Sequence, residues 1–153
     1  MPGIAGIHSA IIDEIVTQLK TITELADDPA PNGPRVFKWN DARNPTDGRY
    51  EVEVKAAQMT VTQHSVRGTD NNFQVFCDLR YYPINTDSFE DAFDNALAVA
   101  EKIYDKLHLT TINGTCRNAL VQYFPVDGEL SGRNLRSVPI RIEVNCQRVV
   151  SQL

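Results

Sequence analysis

The sequence predicts an α+β fold, a mostly antiparallel sheet with two amphipathic helices packed on one face. Three observations carry that prediction. Two segments, 8–26 and 88–107, repeat apolar residues at three- and four-residue spacing, which is how a helix with one buried side reads. Five others, at 35–39, 50–66, 73–82, 115–124 and 138–146, have strand character, several with apolar and polar residues in alternation. Neighbouring strands are joined by loops rather than crossover helices, which makes their pairing antiparallel. The predicted order is α-β-β-β-α-β-β in a single domain spanning residues 1–153, with 1–7 a candidate flexible N-terminal arm.

The first helix rests on Ile12, Ile15, Val16, Leu19, Ile22 and Ala26, with Ser9 as a candidate cap and Glu14 early enough to suit the dipole. Its other side carries Asp13, Thr17, Lys20 and Glu24. The run Asp27-Asp-Pro-Ala-Pro-Asn-Gly-Pro ends it, since prolines cannot continue a helix, and puts Asp27 and Asp28 in an exposed loop. A short strand at 35–39 leads into a polar loop, 40–49. The next strand breaks its alternation at Ala56-Ala57-Gln58, where a bulge or a change of partner fits, and 67–72 reads as a hairpin loop. The third strand alternates most cleanly, with Phe73, Val75, Cys77, Leu79 and Tyr81 against Gln74, Phe76, Asp78, Arg80 and Tyr82. Asp87 or Ser88 caps the second helix, whose stripe is Phe89, Phe93, Ala96, Leu97, Ala100, Ile103, Tyr104 and Leu107. Beyond the break at Asn113-Gly114 lie a strand, a long loop at 125–137, and a last strand with Val138, Ile140, Ile142, Val144 and Cys146 on one face.

Composition narrows the function. A 153-residue chain with 42% hydrophobic residues can bury a real core, and 23% charged residues is ordinary for a globular domain. Fifteen Lys and Arg against twenty Asp and Glu leave a net charge of −5, which disfavours coating nucleic acid or an anionic membrane by bulk charge. No apolar run approaches the ~20 residues of a membrane helix, and the N-terminus lacks the basic start of a signal peptide. Three widely spaced cysteines, Cys77, Cys116 and Cys146, make neither a disulfide framework nor a metal knuckle.

Chemistry is sparse. His8, His64 and His108 have no acidic or thiol partner at ligand spacing, and no nucleophile elbow, zinc helix, phosphate loop or dinucleotide fingerprint occurs. Asp41, Asn44 and Asp47 lack the spacing of a calcium loop. The expectation is therefore no catalytic residues, no cofactor and no metal. The loop arginines Arg43, Arg49, Arg67, Arg133 and Arg136 suit forked pairing with carboxylates of a neighbouring subunit, and with Asp41 and Asp47 they are the candidate subunit or partner contacts. Three long polar loops on a small domain suggest binding or assembly.

Four segments carry a family resemblance that covers nearly the whole chain. They are Ile11-Ile-Asp-Glu-Ile-Val-Thr-Gln-Leu, Phe73-Gln-Val-Phe-Cys-Asp-Leu-Arg-Tyr-Tyr, Asp87-Ser-Phe-Glu-Asp-Ala-Phe-Asp-Asn-Ala and Val138-Pro-Ile-Arg-Ile-Glu-Val-Asn-Cys. In this layout the chain resembles the tail-terminator and tail-completion proteins of tailed bacteriophages. The resemblance implies a non-enzymatic virion protein of the tail or neck, assembled in the host cytoplasm. Its copies would form a ring, usually a hexamer, that caps the tail tube protein and docks to a head connector or stopper protein. DNA would pass the bore without specific binding, and acidic Asp127 and Glu129 are the candidate bore or tube contacts, since carboxylates repel phosphates. Another neck component, a head-completion or stopper protein, fits the same size and loops. A small α+β enzyme or ligand-binding domain would instead need Asp78, Arg80, Tyr82, Arg141 and Glu143 to converge on one sheet face.

Overall fold

The computed structural model describes residues 6–28, 33–39, 46–65, 68–112, 117–125, 129–131 and 134–151. Helices α1 (Gly6–Leu19) and α2 (Phe89–Leu107) accompany strands β1 (Val36–Lys38), β2 (Tyr50–Ser65), β3 (Gly68–Tyr81), β4 (Arg117–Pro125), β5 (Glu129–Ser131) and β6 (Asn134–Ser151). The sheet order is β1-β2-β3-β6-β4, with β5 paired to β6. Every pairing is antiparallel except that of β1 with β2. The α+β class, the two helices and the α-β-β-β-α-β-β order are as the sequence predicts, with β5 added.

One face of the sheet makes the core. Val52 and Val54 of β2, Val75, Cys77 and Leu79 of β3, and Ile140, Ile142, Val144 and Cys146 of β6 are all buried in one cluster with both helices. The period of two along each strand turns these residues to the helices and leaves the intervening ones on the other side. Helix α1 contributes Ile11, Ile12, Ile15 and Leu19; α2 contributes Ala92, Ala96, Val99, Ala100, Ile103 and Leu107. The three alanines give α2 a thin buried line that lets its backbone lie close to the sheet. Its larger apolar residues fall at the flanks, with Phe93, Leu97 and Tyr104 half-buried and Phe89 exposed, so the buried stripe is rotated from the predicted one. The cap resolves to Ser88, whose Oγ accepts from the Asp91 N–H at 3.1 Å while the Asp91 carboxylate accepts from the Ser88 N–H at 3.4 Å. Asp87 is used elsewhere, accepting from the Tyr81 hydroxyl at 2.7 Å and the Ile84 N–H at 3.1 Å.

Four local expectations are corrected. The first helix begins at Gly6, ahead of Ser9, and stops at Leu19; a 3-10 turn at Thr23–Leu25 then carries Leu25 into the core. The β-branched run Thr21-Ile22-Thr23 favours that tightening. Strand β1 does not open a meander, because it lies parallel to β2 at Val36↔Val52. The predicted hairpin loop 67–72 is strand from Gly68 onward, held by ladders to both β2 and β6, so its Asn- and Asp-rich composition is overridden by pairing on two sides. In the predicted loop 125–137, β5 pairs with β6, which already begins at Asn134. The break at Ala56-Ala57-Gln58 is a true irregularity, a one-residue register shift between Ala56 and Met59.

Candidate functional site

The helices cover one face of the sheet, and among the described residues no element covers the other. Its residues follow from the register. Asp78 lies between Glu53 on β2 and Arg141 on β6, with Phe124 next on β4. One row along, Phe76 lies between Lys55 and Glu143, with Gln122 beyond. Arg141 forks onto Asp78 at 2.9 and 3.2 Å and stacks its guanidinium 4.3 Å above the Phe76 ring. Lys55 reaches Asp78 at 3.0 Å and Glu53 at 3.4 Å, and Gln122 donates to Glu143 at 3.1 Å. Burial pushes the Asp78 carboxyl up, but the hydrogen bonds from Arg141 and Lys55 outweigh it and hold the group below the ordinary aspartate range. Asp78 is thus a fixed anion between two cations, unsuited to taking up a proton near neutral pH.

This face is concave. A hollow of about 530 Å³ lies over the charged rows, walled by Phe37, Tyr82 and Phe124. A second hollow of about 420 Å³ follows towards the far end of the sheet, over Thr60, Asn72, Leu120 and Asn145. The convergence that a ligand-binding domain would need is present in Asp78, Arg80, Tyr82, Arg141 and Glu143, all of which line the first hollow.

The loop residues fare differently. Arg49 is buried, 4% exposed, beside Glu51 at 2%. Its guanidinium contacts Asp28, donates to Glu51 Oε2 at 3.3 Å and to the Pro34 carbonyl at 3.0 Å. Arg35 forks onto the same Asp28 at 2.8 and 2.9 Å. This corrects two expectations: Arg49 is an interior clamp that ties Asp28 and Pro34 to Glu51 on β2, and half-buried Asp28 is its anchor, because two guanidinium groups converge on that carboxylate. Asp47 and Arg136 are exposed. Glu129 stands on β5, opposite Ser137. Asp41, Arg43, Arg67, Asp127 and Arg133 lie outside the described residues, as does Cys116.

His8 and His108 have structural contacts. His8 bonds the Gln74 carbonyl through Nε2 at 3.0 Å and meets Phe73 edge-on. His108, just past α2, stacks on Tyr104 and accepts from the Val121 N–H through Nδ1 at 3.1 Å. Cys77 and Cys146 are buried thiols. Among the described residues no group of three or more His, Cys, Asp or Glu gathers to hold a metal, and no helix is long and apolar enough to cross a membrane. Sequence reasoning missed the open face as a shaped surface. The signal was there in the aromatic residues Phe76 and Phe124 among charged neighbours on otherwise wet strand positions.

Fold and surface together define a two-layer α+β domain with one sheet face uncovered among the described residues. No protein-family model and no curated protein matches the chain. Among solved structures, a chain in the virion of a native gene transfer agent particle has a similar fold, with a TM-score of 0.55 at 14% identity over 93% of this chain and 98% of that one. A second solved chain aligns over 92% of this chain and 91% of its own, with a TM-score of 0.49 at 15% identity. At such identities the first likeness is one of fold.

Proposed function

We propose that the chain is a structural protein of a tailed, phage-like virion, a tail terminator whose copies close into a ring, six in number, between tail tube and head connector. The observation that carries this reading is the near end-to-end fold likeness to a chain of a gene transfer agent virion, 93% of one and 98% of the other. The four sequence segments that resemble tail terminators point the same way. A subunit with an uncovered, concave sheet face and paired surface charge is also suited to meeting other protein surfaces. In this reading the exposed Asp47 and Arg136, with Asp41, Arg43, Arg67 and Arg133, contact neighbours. Asp127 and Glu129 face the tube or bore, where carboxylates keep DNA from adhering.

Native mass spectrometry across concentration, with and without magnesium, tests it. A closed oligomer near six times 17.1 kDa, with a central hole in negative stain, is the expected result. A stable dimer at every concentration would refute the ring. Charge reversal at Asp127 and Glu129 together is expected to impair tail capping or head joining; intact capping and joining would remove those two residues from the bore.

A further inference from the structure

The two edges of the sheet are treated unequally. On β4 the Ala119 carbonyl accepts from the Leu109 N–H at 2.7 Å, and the Ala119 N–H donates to the Thr110 carbonyl at 3.0 Å. The Val121 N–H donates to His108. The segment after α2 therefore seals the first half of that edge. Strand alternation turns the Tyr123 N–H outward in the same sense as Val121, and among the described residues nothing bonds it. Strand β5 prolongs this flank, paired to β6 on one side and with no strand on the other among the described residues.

On the opposite edge β1 covers only Val52 to Val54. Beyond it the outer side of β2 has no strand among the described residues. Residues 56–63, Ala-Ala-Gln-Met-Thr-Val-Thr-Gln, carry no charge and no proline, so two of the devices that usually guard an edge are missing, and the bulge between Ala56 and Met59 leaves 59–63 beyond it unguarded. All of 58–63 are exposed, Met59 at 47% and Val61 at 55%. The Val52 N–H faces β1, and the extra residue at the bulge then turns Met59, Val61 and Gln63 outward.

The two open stretches lie at opposite ends of the sheet. Residues 59–63 are at the end where Gly68 pairs with Ser151; Tyr123 and β5 are at the end where Tyr81 pairs with Val138. Strand β2 also runs antiparallel to β4, since each step from β2 through β3 and β6 to β4 reverses direction. We propose that copies of this chain join head to tail by antiparallel strand pairing, the 59–63 edge of one copy against the Tyr123 and β5 edge of the next. This rests on the ring reading above and names its subunit contact. The partner is a second copy because the chain itself holds both complementary edges, and joining unlike edges is what a closed ring requires. The offset between them supplies the stagger that a sheet needs in order to curve into a closed wall.

The test uses full-length Val61→Pro and Tyr123→Pro, each of which removes one outward N–H at an edge where proline is tolerated. By native mass spectrometry from micromolar to millimolar protein, each variant alone is expected to lose about tenfold or more of its oligomer, falling to the 17.1 kDa subunit. An equimolar mixture is expected to form a dimer and nothing larger, since one matched pair of intact edges remains. A ring that survives Val61→Pro would overturn the edge contact while leaving the ring reading standing. A wild-type dimer that survives both substitutions would overturn both, as would a wild type that stays monomeric throughout. Hydrogen exchange of the wild type needs no substitution: the Met59, Val61, Gln63 and Tyr123 amides are expected to slow on oligomer formation. Unchanged exchange at these amides would also overturn the contact.

Discussion

Replacing Arg49 by alanine is expected to loosen the fold, because its guanidinium works inside the domain. The group is 4% exposed, and Glu51, 2% exposed, lies 3.3 Å away. Removing the cation takes an ion-pair partner from a buried carboxylate, and breaking a buried pair from one side costs about 3–5 kcal/mol. At an m-value of about 1.5 kcal/mol/M the urea midpoint should fall by roughly 2–3 M. The melting temperature should fall by roughly 6–20 °C, at about 2–4 °C per kcal/mol for a chain of this length. Urea unfolding followed by far-ultraviolet circular dichroism measures the first, and calorimetry the second. Exposed Arg136→Ala, which removes the same charge from the surface, should stay within about 0.5 kcal/mol of wild type. The double variant Arg49→Met, Glu51→Leu should regain much of the loss, since apolar groups of similar size replace both charges. A midpoint for Arg49→Ala within about 0.3 M of wild type would refute the interior clamp. Combined with a loss of assembly, it would return Arg49 to the subunit surface.

Ser88→Ala removes one arm of the capping box and should cost about 1 kcal/mol, read as a fall of roughly 2–4 °C in melting temperature, while Ser88→Asp should cost little. Asp78 makes the acid limb steeper. Its carboxyl sits below its unfolded value of about 3.9, so its contribution is full above that value and is lost as pH falls through the lowered one. Asp78→Asn should therefore be less stable than wild type at pH 7, with the gap closing below about pH 4; a gap independent of pH would count against the Arg141 and Lys55 pairing. Cys77 and Cys146 are fully buried, and burial pushes the Cys77 thiol well above its ordinary range. In a Cys116→Ser background an aromatic disulfide reagent at pH 8 should label neither until the chain unfolds, and rapid labelling of the folded protein would contradict the packing.

Periodicity made most of the fold legible. The buried sides of β3 and β6 are those that their alternation indicates, because a strand with one covered face leaves a period of two in its sequence. The second helix was equally plain, although its buried line runs through Ala92 and Val99 rather than Phe89, since a close approach to the sheet favours small side chains. What composition concealed was pairing at a distance. The stretch Gly68-Thr-Asp-Asn-Asn is strand only because β2 and β6 flank it, and nothing local says so. The clamp was hidden for the same reason. Asp28 and Arg49 are 21 residues apart, and only the return of the chain at β1 and β2 brings them together. The open face was half legible: Asp78 and Arg141 read correctly as a cross-strand pair, but the hollow above them depends on strand order.

Charge placement argues for where copies of this chain can touch. The outer side of α2 exposes Glu90, Asp91, Asp94, Glu101 and Asp105 against Lys102 and Lys106. Two helix layers brought face to face would set like charges within a Debye length, about 8 Å at physiological salt, and repel. On the other sheet face, anions and cations such as Asp78, Lys55 and Arg141 are already matched within the chain, so a partner there must displace pairs such as Asp78 with Arg141 to form new ones. The 56–63 stretch of β2 raises neither obstacle. It has no charge to repel a neighbour, and its outward backbone groups lack a strand among the described residues. In the proposed assembly, electrostatics thus turns association away from the helix layer, and hydrogen bonding draws it to the sheet edge. The seal made by Leu109, Thr110 and His108 on β4 then limits which part of the other edge can answer. An edge open along its whole length would permit many registers and unlimited growth. One that is half closed restricts the register, and a restricted register is what separates a finite ring from an aggregate.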